Sequence, residues 1–144
     1  MKKIRITKEF SFEMAHALMG HDGKCANIHG HSYLLSVTLT GFAIQDDTHP
    51  KNGMIMDFAD LKKLIKDLIV EPFDHALVLY EKHDICHSDS PQKLIKLPFQ
   101  PTCENLVVKF AEDIMAHLPG NVQLHHLKLR ETNSSYAEYY VEDN

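Results

Sequence analysis

The chain has 144 residues, with 15 Lys or Arg against 20 Asp or Glu, and a formal net charge of -5 at pH 7. An acidic chain without a long basic run is a poor match for a phosphate backbone, so we expect no nucleic-acid partner. Hydrophobic residues make up 44%, which is typical of a globular protein, and no apolar run is long enough to span a membrane, so we expect no membrane partner. The length predicts a single domain over residues 1–144.

The cysteines indicate a reduced protein. Cys25, Cys86 and Cys103 are odd in number and show no spacing typical of a disulfide framework. The N-terminal residues include lysines but no apolar segment of the kind found in signal peptides. Both features predict a cytoplasmic location.

The first predicted element is a half-buried strand from Ile4 to His16. Its even positions carry apolar side chains, apart from Lys8, and its odd positions are polar. His16 falls on the apolar face, at the C-terminal end of the strand. The next residues, 17–28, contain two glycines and are predicted to form a loop.

The second strand is predicted to begin near His29 and to run to about Ile44. It is apolar at every second position, namely Tyr33, Leu35, Val37 and Leu39. His29 and His31 extend the same face, with Cα atoms roughly 6.5–7 Å apart. An antiparallel hairpin places His16 opposite this pair, so the imidazoles converge. An isolated His-x-His pair would carry little weight, but a third histidine in register predicts a metal site.

Cys25 lies in the connecting loop and has two candidate roles. Three imidazoles leave one tetrahedral position of zinc open, as catalytic zinc sites do. A Cys25 thiolate in that position would close the site and make it structural. Off the metal, Cys25 would instead act as a base or nucleophile, with its thiolate favoured by Lys24 and by the nearby cation.

A helix is predicted from an N-cap at Asp57, because apolar residues recur at helical spacing after it, namely Phe58, Leu61, Leu64, Ile65, Leu68 and Ile69. Pro72 is expected to stop this helix, since Glu71 before it is biased away from the helical region. A short ordered segment, 73–79, and an irregular polar loop, 81–100, are predicted to follow.

The second predicted helix begins at the N-cap Thr102 and ends before Pro119. Strands 122–131 and 136–141 follow, and a shift of alternation at residues 125–126 indicates a bulge. The order strand, strand, helix, helix, strand, strand predicts an α+β fold with a four-stranded antiparallel sheet and both helices packed on one face (ββααββ). The open edges of such a sheet favour oligomerisation.

Two further features point to reactive groups. Asp74 precedes His75, and a carboxylate beside an imidazole fixes its tautomer and raises its basicity. The alternative for this pair is a surface dipeptide without a role. Glu131 is in phase with Leu127 and Leu129, so its carboxylate points to an apolar face. Because a buried, unpaired carboxylate is costly, it must meet either a basic side chain or a ligand with paired N–H donors.

Six motifs carry a resemblance to a known family. They are Phe12-Glu-Met-Ala-His16, Cys25-x-x-x-His29-Gly-His31, Gly53-Met-Ile-Met-Asp57-Phe, Phe73-Asp74-His75, Pro101-Thr102-Cys-Glu104-Asn105 and Arg130-Glu131-Thr132. In these motifs, and over nearly its whole length, the chain resembles the 6-pyruvoyltetrahydropterin synthase and 6-carboxytetrahydropterin synthase family, which has the tunnelling fold. Some members place a glutamate before His-Gly-His. Here Ala26, Asn27 and Ile28 fill that gap, so the cysteine type is indicated.

The resemblance implies roles for these residues. It implies a Zn²⁺ cofactor bound by three ligands, namely His16, His29 and His31. Cys25 would be the proton acceptor, with Asp74 and His75 in a proton relay. Glu131 would bind the 2-amino-4-oxo edge of a pterin, assisted by the segment Thr102, Cys103 and Glu104. Family members form trimers that stack into hexamers, so the resemblance also implies a homo-oligomer (trimer or dimer of trimers) in which the sheets join into a barrel.

The activity that the resemblance implies is that of a zinc-dependent lyase in queuosine or other 7-deazapurine synthesis. Its small-molecule substrate would be the pterin 7,8-dihydroneopterin triphosphate, and its products 6-carboxy-5,6,7,8-tetrahydropterin, acetaldehyde and triphosphate. A 6-pyruvoyltetrahydropterin synthase, which retains the side chain, is the alternative within the family, and the compact length favours the carboxy product. Two other classes of protein are further alternatives. One is a tunnelling-fold epimerase or aldolase, and the other is a non-catalytic zinc-stabilised pterin-binding protein. The long loop 81–100 departs from the family pattern and bears on substrate access.

Overall fold

A long antiparallel hairpin organises the fold. The computed structural model describes residues 1–84 and 93–144. Within these residues the strands are β1 (Lys3–His16), β2 (His29–Phe42), β3 (Ala76–Tyr80), β4 (Leu94–Leu97), β5 (Val122–Thr132) and β6 (Ser135–Tyr140). They form one sheet in the order β4-β3-β1-β2-β5-β6. β3 runs parallel to both β1 and β4, whereas the remaining pairs are antiparallel.

Both of the longer helices of the described residues begin at side-chain caps. They are α1 (Phe58–Ile65), continued by a π-helical turn (Lys66–Val70) and the short α2 (Glu71–Phe73), and then α3 (Cys103–Met115). The Asp57 carboxylate accepts a hydrogen bond from the Ala59 N–H, and the Thr102 hydroxyl accepts one from the Asn105 N–H. Both predicted N-caps are therefore confirmed. Single 3₁₀ turns cover Lys24–Ala26 and Val141–Asp143.

The core lies between the helices and one face of the sheet. That face combines the even positions of β1 with the odd positions of β2, as the strand alternation predicts, and with both segments of β5, whose buried positions change from even (Val122, Leu124) to odd (Leu127, Leu129) at the irregularity near residues 125–126. Phe110 of α3 is fully buried and makes edge-on ring contacts with Phe12 and Phe73, at 6.2 Å and 5.1 Å between ring centroids. The opposite face is polar: Ser36, for example, donates a hydrogen bond to Glu9 across the hairpin.

The predicted number of strands is wrong. The described residues form six strands rather than four, because β3 pairs with the last three residues of β1 and β4 then pairs with β3. These added strands have five and four residues, too few to reveal an alternating pattern. The prediction of an irregular loop over 81–100 is therefore wrong for Leu94–Leu97. Residues 85–92, with Cys86, lie outside the described part of the chain.

The helical segment does not stop at Pro72. Glu71 has helical angles, φ -61° and ψ -45°, and the helix continues to Phe73 before Asp74 becomes extended. The π-helical turn ends at Val70, so Pro72 is the second residue of α2. A proline lacks the backbone N–H, and this costs little in the first turn of a helix, so Pro72 is tolerated there. The predicted irregularity near residues 125–126 is confirmed, since the register between β2 and β5 shifts opposite Thr38 and Leu39.

None of the helices in residues 1–84 and 93–144 combines the length and the apolarity needed to span a bilayer.

The N-cap of α3 yields the first testable prediction. Replacing Thr102 by Ala removes the acceptor of the Asn105 N–H and should lower the free energy of unfolding by about 0.5–2 kcal/mol. Thr102→Ser keeps the hydroxyl and serves as the matched control. Urea denaturation measures both changes. Equal stability of the Ala and Ser variants would show that the cap contributes nothing.

Candidate metal centre and active site

Three histidines meet at the end of the β1–β2 hairpin. His16 pairs directly with His29, and His31 lies two residues further along β2, opposite Met14. Their donor nitrogens all lie within 4.8 Å of one another. The clustering predicted from strand alternation is therefore present in the structure. A separation of this order needs only small side-chain shifts to reach the roughly 2.0–2.1 Å nitrogen–metal distances of a zinc-type site.

Backbone carbonyls orient two of the rings. The His16 Nδ1–H donates to the Pro101 carbonyl at 2.7 Å, and the His29 Nδ1–H donates to the Asn27 carbonyl at 2.7 Å. A carbonyl can only accept, so both rings carry their proton on Nδ1 and turn an unprotonated Nε2 inward when neutral. These two Nε2 atoms are 3.1 Å apart. Two facing lone pairs repel each other unless a cation lies between them, so this arrangement fits a bound metal ion.

His16 is held in the neutral form that a metal requires. Its side chain is buried, and burial lowers its pKa, although the Pro101 carbonyl and the nearby Glu131 carboxylate oppose this shift. An imidazole with a lowered pKa stays unprotonated at pH 7, and its Nε2 remains available as a ligand. Three neutral imidazoles suit zinc, copper, iron or nickel far better than calcium or magnesium.

Gly30 separates the two histidines of β2 and permits a close approach of the strands. A Cβ at this position would lie 3.3 Å from the Met14 carbonyl oxygen and 3.8 Å from the Ala15 Cα of β1. A side chain here would therefore require the β1 backbone to shift by a few tenths of an ångström at the level of the cluster. The glycine keeps His29 and His31 within reach of His16.

Glu131 lies beside the histidine cluster, as its phase in β5 predicts. Its Oε1 is 3.6 Å from the His16 Nε2 and 3.7 Å from the His31 Nε2. The carboxylate is partly exposed, with 23% of the side chain accessible, so it is open to a ligand. In the described residues its contacts are with histidines and Tyr33, and none is with a buried Arg or Lys. The structure therefore gives no support to a structural ion pair.

Tyr33 is a site residue that strand alternation places only in the core. It lies on the same face of β2 as both histidines, is fully buried, and donates a hydrogen bond to the Glu131 Oε1 at 3.4 Å. Burial and the Glu131 charge both raise its pKa, so the phenol stays protonated and remains a donor. The alternation along β2 could have revealed this role, because Tyr33 follows His31 by two residues and so lies on the same face as the histidines.

Cys25 lies in the 3₁₀ turn Lys24–Ala26, between the two hairpin strands. The turn is fixed to the end of β1 because the Leu18 N–H donates to the Cys25 carbonyl at 2.8 Å. The thiol is partly buried, and within the described residues it is not one of the donors grouped within 4.8 Å. Within the described residues, Cys25 is therefore not a fourth member of the histidine group.

The segment before α3 borders the site. The Pro101 carbonyl holds His16, and the Cys103 thiol donates to the Leu129 carbonyl at 3.2 Å. Burial, with a further effect of the nearby Glu131 carboxylate, raises the pKa of Cys103 to about 12. This thiol is therefore a neutral group next to Glu131. Glu104 is exposed in the first turn of α3.

Asp74 and His75 form a turn at the end of α2. The Asp74 Oδ2 accepts from the His75 Nδ1–H at 2.9 Å, while its Oδ1 accepts from the Glu13 N–H at 2.8 Å. These hydrogen bonds, that of Glu13 most strongly, lower the pKa of Asp74 and keep it ionised. His75 and His31 line one cleft of about 530 Å³. Among the described residues, no contact joins this pair to Cys25 or Glu131 within the single chain.

The fold and the site together define a class: an α+β protein with three histidines grouped closely enough to hold a metal ion at the end of a hairpin. The family model described as 6-pyruvoyl tetrahydropterin synthase matches residues 5–142. The chain therefore belongs to the 6-pyruvoyl tetrahydropterin synthase family.

Relatives bear this out along nearly the whole chain. A 6-carboxy-5,6,7,8-tetrahydropterin synthase from Haemophilus influenzae is 38% identical over 142 residues, covering 94% of this chain and 97% of that protein. A dihydroneopterin monophosphate aldolase from Pyrococcus furiosus is 33% identical over 136 residues, covering 94% and 96%. The structure of 6-pyruvoyl tetrahydropterin synthase from Caenorhabditis elegans is similar with a TM-score of 0.70 at 25% identity, covering 97% of this chain and 96% of that one. These neighbours confirm the predicted tunnelling fold.

The histidine cluster gives a prediction about metal binding. We expect His29→Ala to lose most bound metal, because two imidazoles remain and the converging pair of Nε2 atoms is broken. The exposed His117, just beyond the C-terminal end of α3, provides the matched control His117→Ala, which should bind as much metal as the unchanged chain. Metal analysis after loading with Zn²⁺ and gel filtration measures the stoichiometry. A full complement of metal in His29→Ala would contradict the assignment.

Proposed function

We propose that the chain is a zinc-dependent lyase that converts 7,8-dihydroneopterin triphosphate and water to 6-carboxy-5,6,7,8-tetrahydropterin, acetaldehyde and triphosphate, a step toward queuosine or other 7-deazapurines. The observation that carries this proposal is the pair of inward-facing Nε2 atoms of His16 and His29, 3.1 Å apart, with the Glu131 carboxylate beside them. The proposal also draws support from the Haemophilus influenzae relative, whose name is that of this synthase.

Each group of the site has a task in this reaction. When bound by the three histidines, zinc supplies a Lewis acid that polarises a side-chain hydroxyl and makes the adjacent C–H more acidic. Cys25, as a thiolate, accepts the proton from that carbon. Asp74 holds the His75 Nδ1–H, so the His75 Nε2 is the atom that takes up or returns a proton.

Glu131 binds the substrate in this proposal. A carboxylate accepts two parallel N–H bonds, as the 2-amino-4-oxo edge of a pterin can offer. The Tyr33 hydroxyl donates a hydrogen bond to the carboxylate, and the segment Thr102, Cys103 and Glu104 brings the neutral Cys103 thiol close to it. Because Glu131 and the histidine cluster adjoin, a pterin held here has its side chain within reach of the cluster.

The lack of contact between the Asp74–His75 pair and Cys25 within one chain supports a homo-oligomer. A relay that does not contact its base within one chain can be completed by a neighbouring copy. β4 and β6 form the two edges of the described sheet, and such edges pair readily with further strands. We therefore propose a homo-oligomer, a trimer or dimer of trimers, in which the sheets close into a barrel and the sites are shared.

A second activity has an observation in its favour. The Pyrococcus furiosus relative is named as a dihydroneopterin monophosphate aldolase, so carbon–carbon cleavage of a monophosphate is a candidate for this chain as well. The 6-pyruvoyl reaction, in which triphosphate leaves and the side chain is retained, is the remaining catalytic alternative. A pterin-binding protein with a structural zinc is the non-catalytic one.

One experiment separates these functions. The purified, zinc-loaded protein is incubated in turn with the triphosphate and the monophosphate of dihydroneopterin, and the pterins are identified by mass spectrometry. The proposal expects 6-carboxytetrahydropterin from the triphosphate. A pyruvoyl product, turnover of the monophosphate alone, or no turnover would each select one of the alternatives instead.

Glu131 provides a test of substrate binding. Glu131→Gln removes the charge that accepts the paired N–H donors, a loss of about 1.5–3 kcal/mol in a partly buried site. We expect KM to rise about 10-fold or more while the bound zinc is retained. The exposed Glu112 of α3 gives the control Glu112→Gln, which should leave KM unchanged. Unchanged kinetics with a lower melting temperature would make Glu131 structural.

Cys25 separates catalysis from a structural metal site. As a base, it can be lost without losing zinc, because three histidines still hold the metal. We expect Cys25→Ala to keep zinc and assembly but to lower the rate about 10²–10⁴-fold. In the unchanged chain, iodoacetamide should modify Cys25 faster than the buried Cys103, and substrate should protect it. Loss of zinc or normal turnover in Cys25→Ala would contradict this role.

A further inference from the structure

The Asp74–His75 turn adopts a backbone conformation that needs support. His75 has φ +61°, in the left-handed region that residues other than glycine rarely adopt. On one side the turn is held by β1, because the His75 N–H donates to the Glu13 carbonyl at 2.5 Å and the Glu13 N–H donates to Asp74. The orientation of the imidazole therefore depends on contacts that fix this short turn.

Lys93 holds the turn from the other side. Its Nζ donates to the Asp74 carbonyl at 2.8 Å and also to the Glu71 carbonyl. These are carbonyls at the C-terminal end of the helix, where helical partners are lacking and where a cation is favoured by the helix dipole. The Lys93 backbone is itself fixed, since its carbonyl accepts from the Leu77 N–H of β3 at 2.8 Å.

The surroundings of Lys93 argue against a direct role in binding an anion. An ammonium group has three donors, and two of those of Lys93 are used by carbonyls. The cleft that Lys93 and His75 line also contains the Glu13 carboxylate, which repels a phosphate group and accepts from the Ser32 hydroxyl at 2.6 Å. The lysine is thus placed to shape the turn.

We propose that Lys93 is a positioning residue, which clamps the Asp74–His75 turn to the end of α2 and so aims the His75 imidazole into the cleft shared with His31. This inference rests on the proton-relay role proposed above for Asp74 and His75. In this role Lys93 does not itself contact the reacting atoms. Its effect passes through the two carbonyls and the left-handed turn that they support.

The test compares Lys93→Met, which removes the ammonium, with Lys93→Arg, which restores a cation with several donors. Lys96 is exposed on β4, the strand that begins directly after Lys93, so Lys96→Met is the matched control. Hydrogen–deuterium exchange, read by mass spectrometry in peptides covering residues 12–14 and 74–77, measures the order of the turn in the absence of any substrate. Steady-state kinetics with dihydroneopterin triphosphate and the melting temperature are measured on the same zinc-loaded samples.

We expect Lys93→Met to exchange about 10-fold faster in both peptides and to lose about 10–100-fold in kcat, with KM within about threefold of the unchanged chain. Lys93→Arg should recover most of both effects, and Lys96→Met should show neither. Unaltered exchange in Lys93→Met would overturn the proposal, as would a rise in KM with kcat preserved, which would make Lys93 a substrate ligand. If the unchanged chain does not turn over the substrate, the proposed function fails, while the exchange result still decides whether Lys93 clamps the turn.

Discussion

The site depends on the register of one hairpin. His16 stands opposite His29 because β1 and β2 pair without interruption from Lys3 and Phe42 onward. A slip of one residue would send every side chain of a strand to the other face, and the histidines with it. The same register buries Phe12 and Tyr33 in the core. Hydrophobic burial therefore fixes the register, and the register brings the imidazoles together.

The orientation of the histidines adds a second constraint, which comes from loops. The carbonyls of Pro101 and Asn27 select the Nδ1–H form of two rings and turn the Nε2 atoms inward. Pro101 directly precedes the N-cap of α3, so the start of that helix and the orientation of His16 are set together. Tyr33 links Glu131 to the same core. A rigid sheet and a capped helix thus hold the ligand set and the carboxylate in one arrangement.

Strand alternation was enough to predict the hairpin, the histidine cluster and the side of the sheet on which Glu131 lies, because β1 and β2 are long and one face of each is buried. β3 and β4 escaped prediction, since such short apolar runs form strands only through pairing with distant residues. The carbonyl partners of the rings are tertiary contacts without a sequence pattern. Tyr33 was predicted only as a core residue, because the sequence pattern shows that its ring is buried but not that its hydroxyl donates a hydrogen bond to Glu131. The relation of Lys93 to the Asp74–His75 turn likewise exists only in three dimensions.

We propose that the three histidines form an open metal centre in which Cys25 is not a ligand. Anomalous diffraction at the zinc absorption edge, from crystals of the zinc-loaded protein, tests it most directly. The account predicts one strong peak per chain, about 2.0–2.1 Å from the Nε2 atoms of His16, His29 and His31, with the Cys25 sulfur outside bonding distance. A peak bonded to Cys25, or no peak at the cluster, would contradict the account.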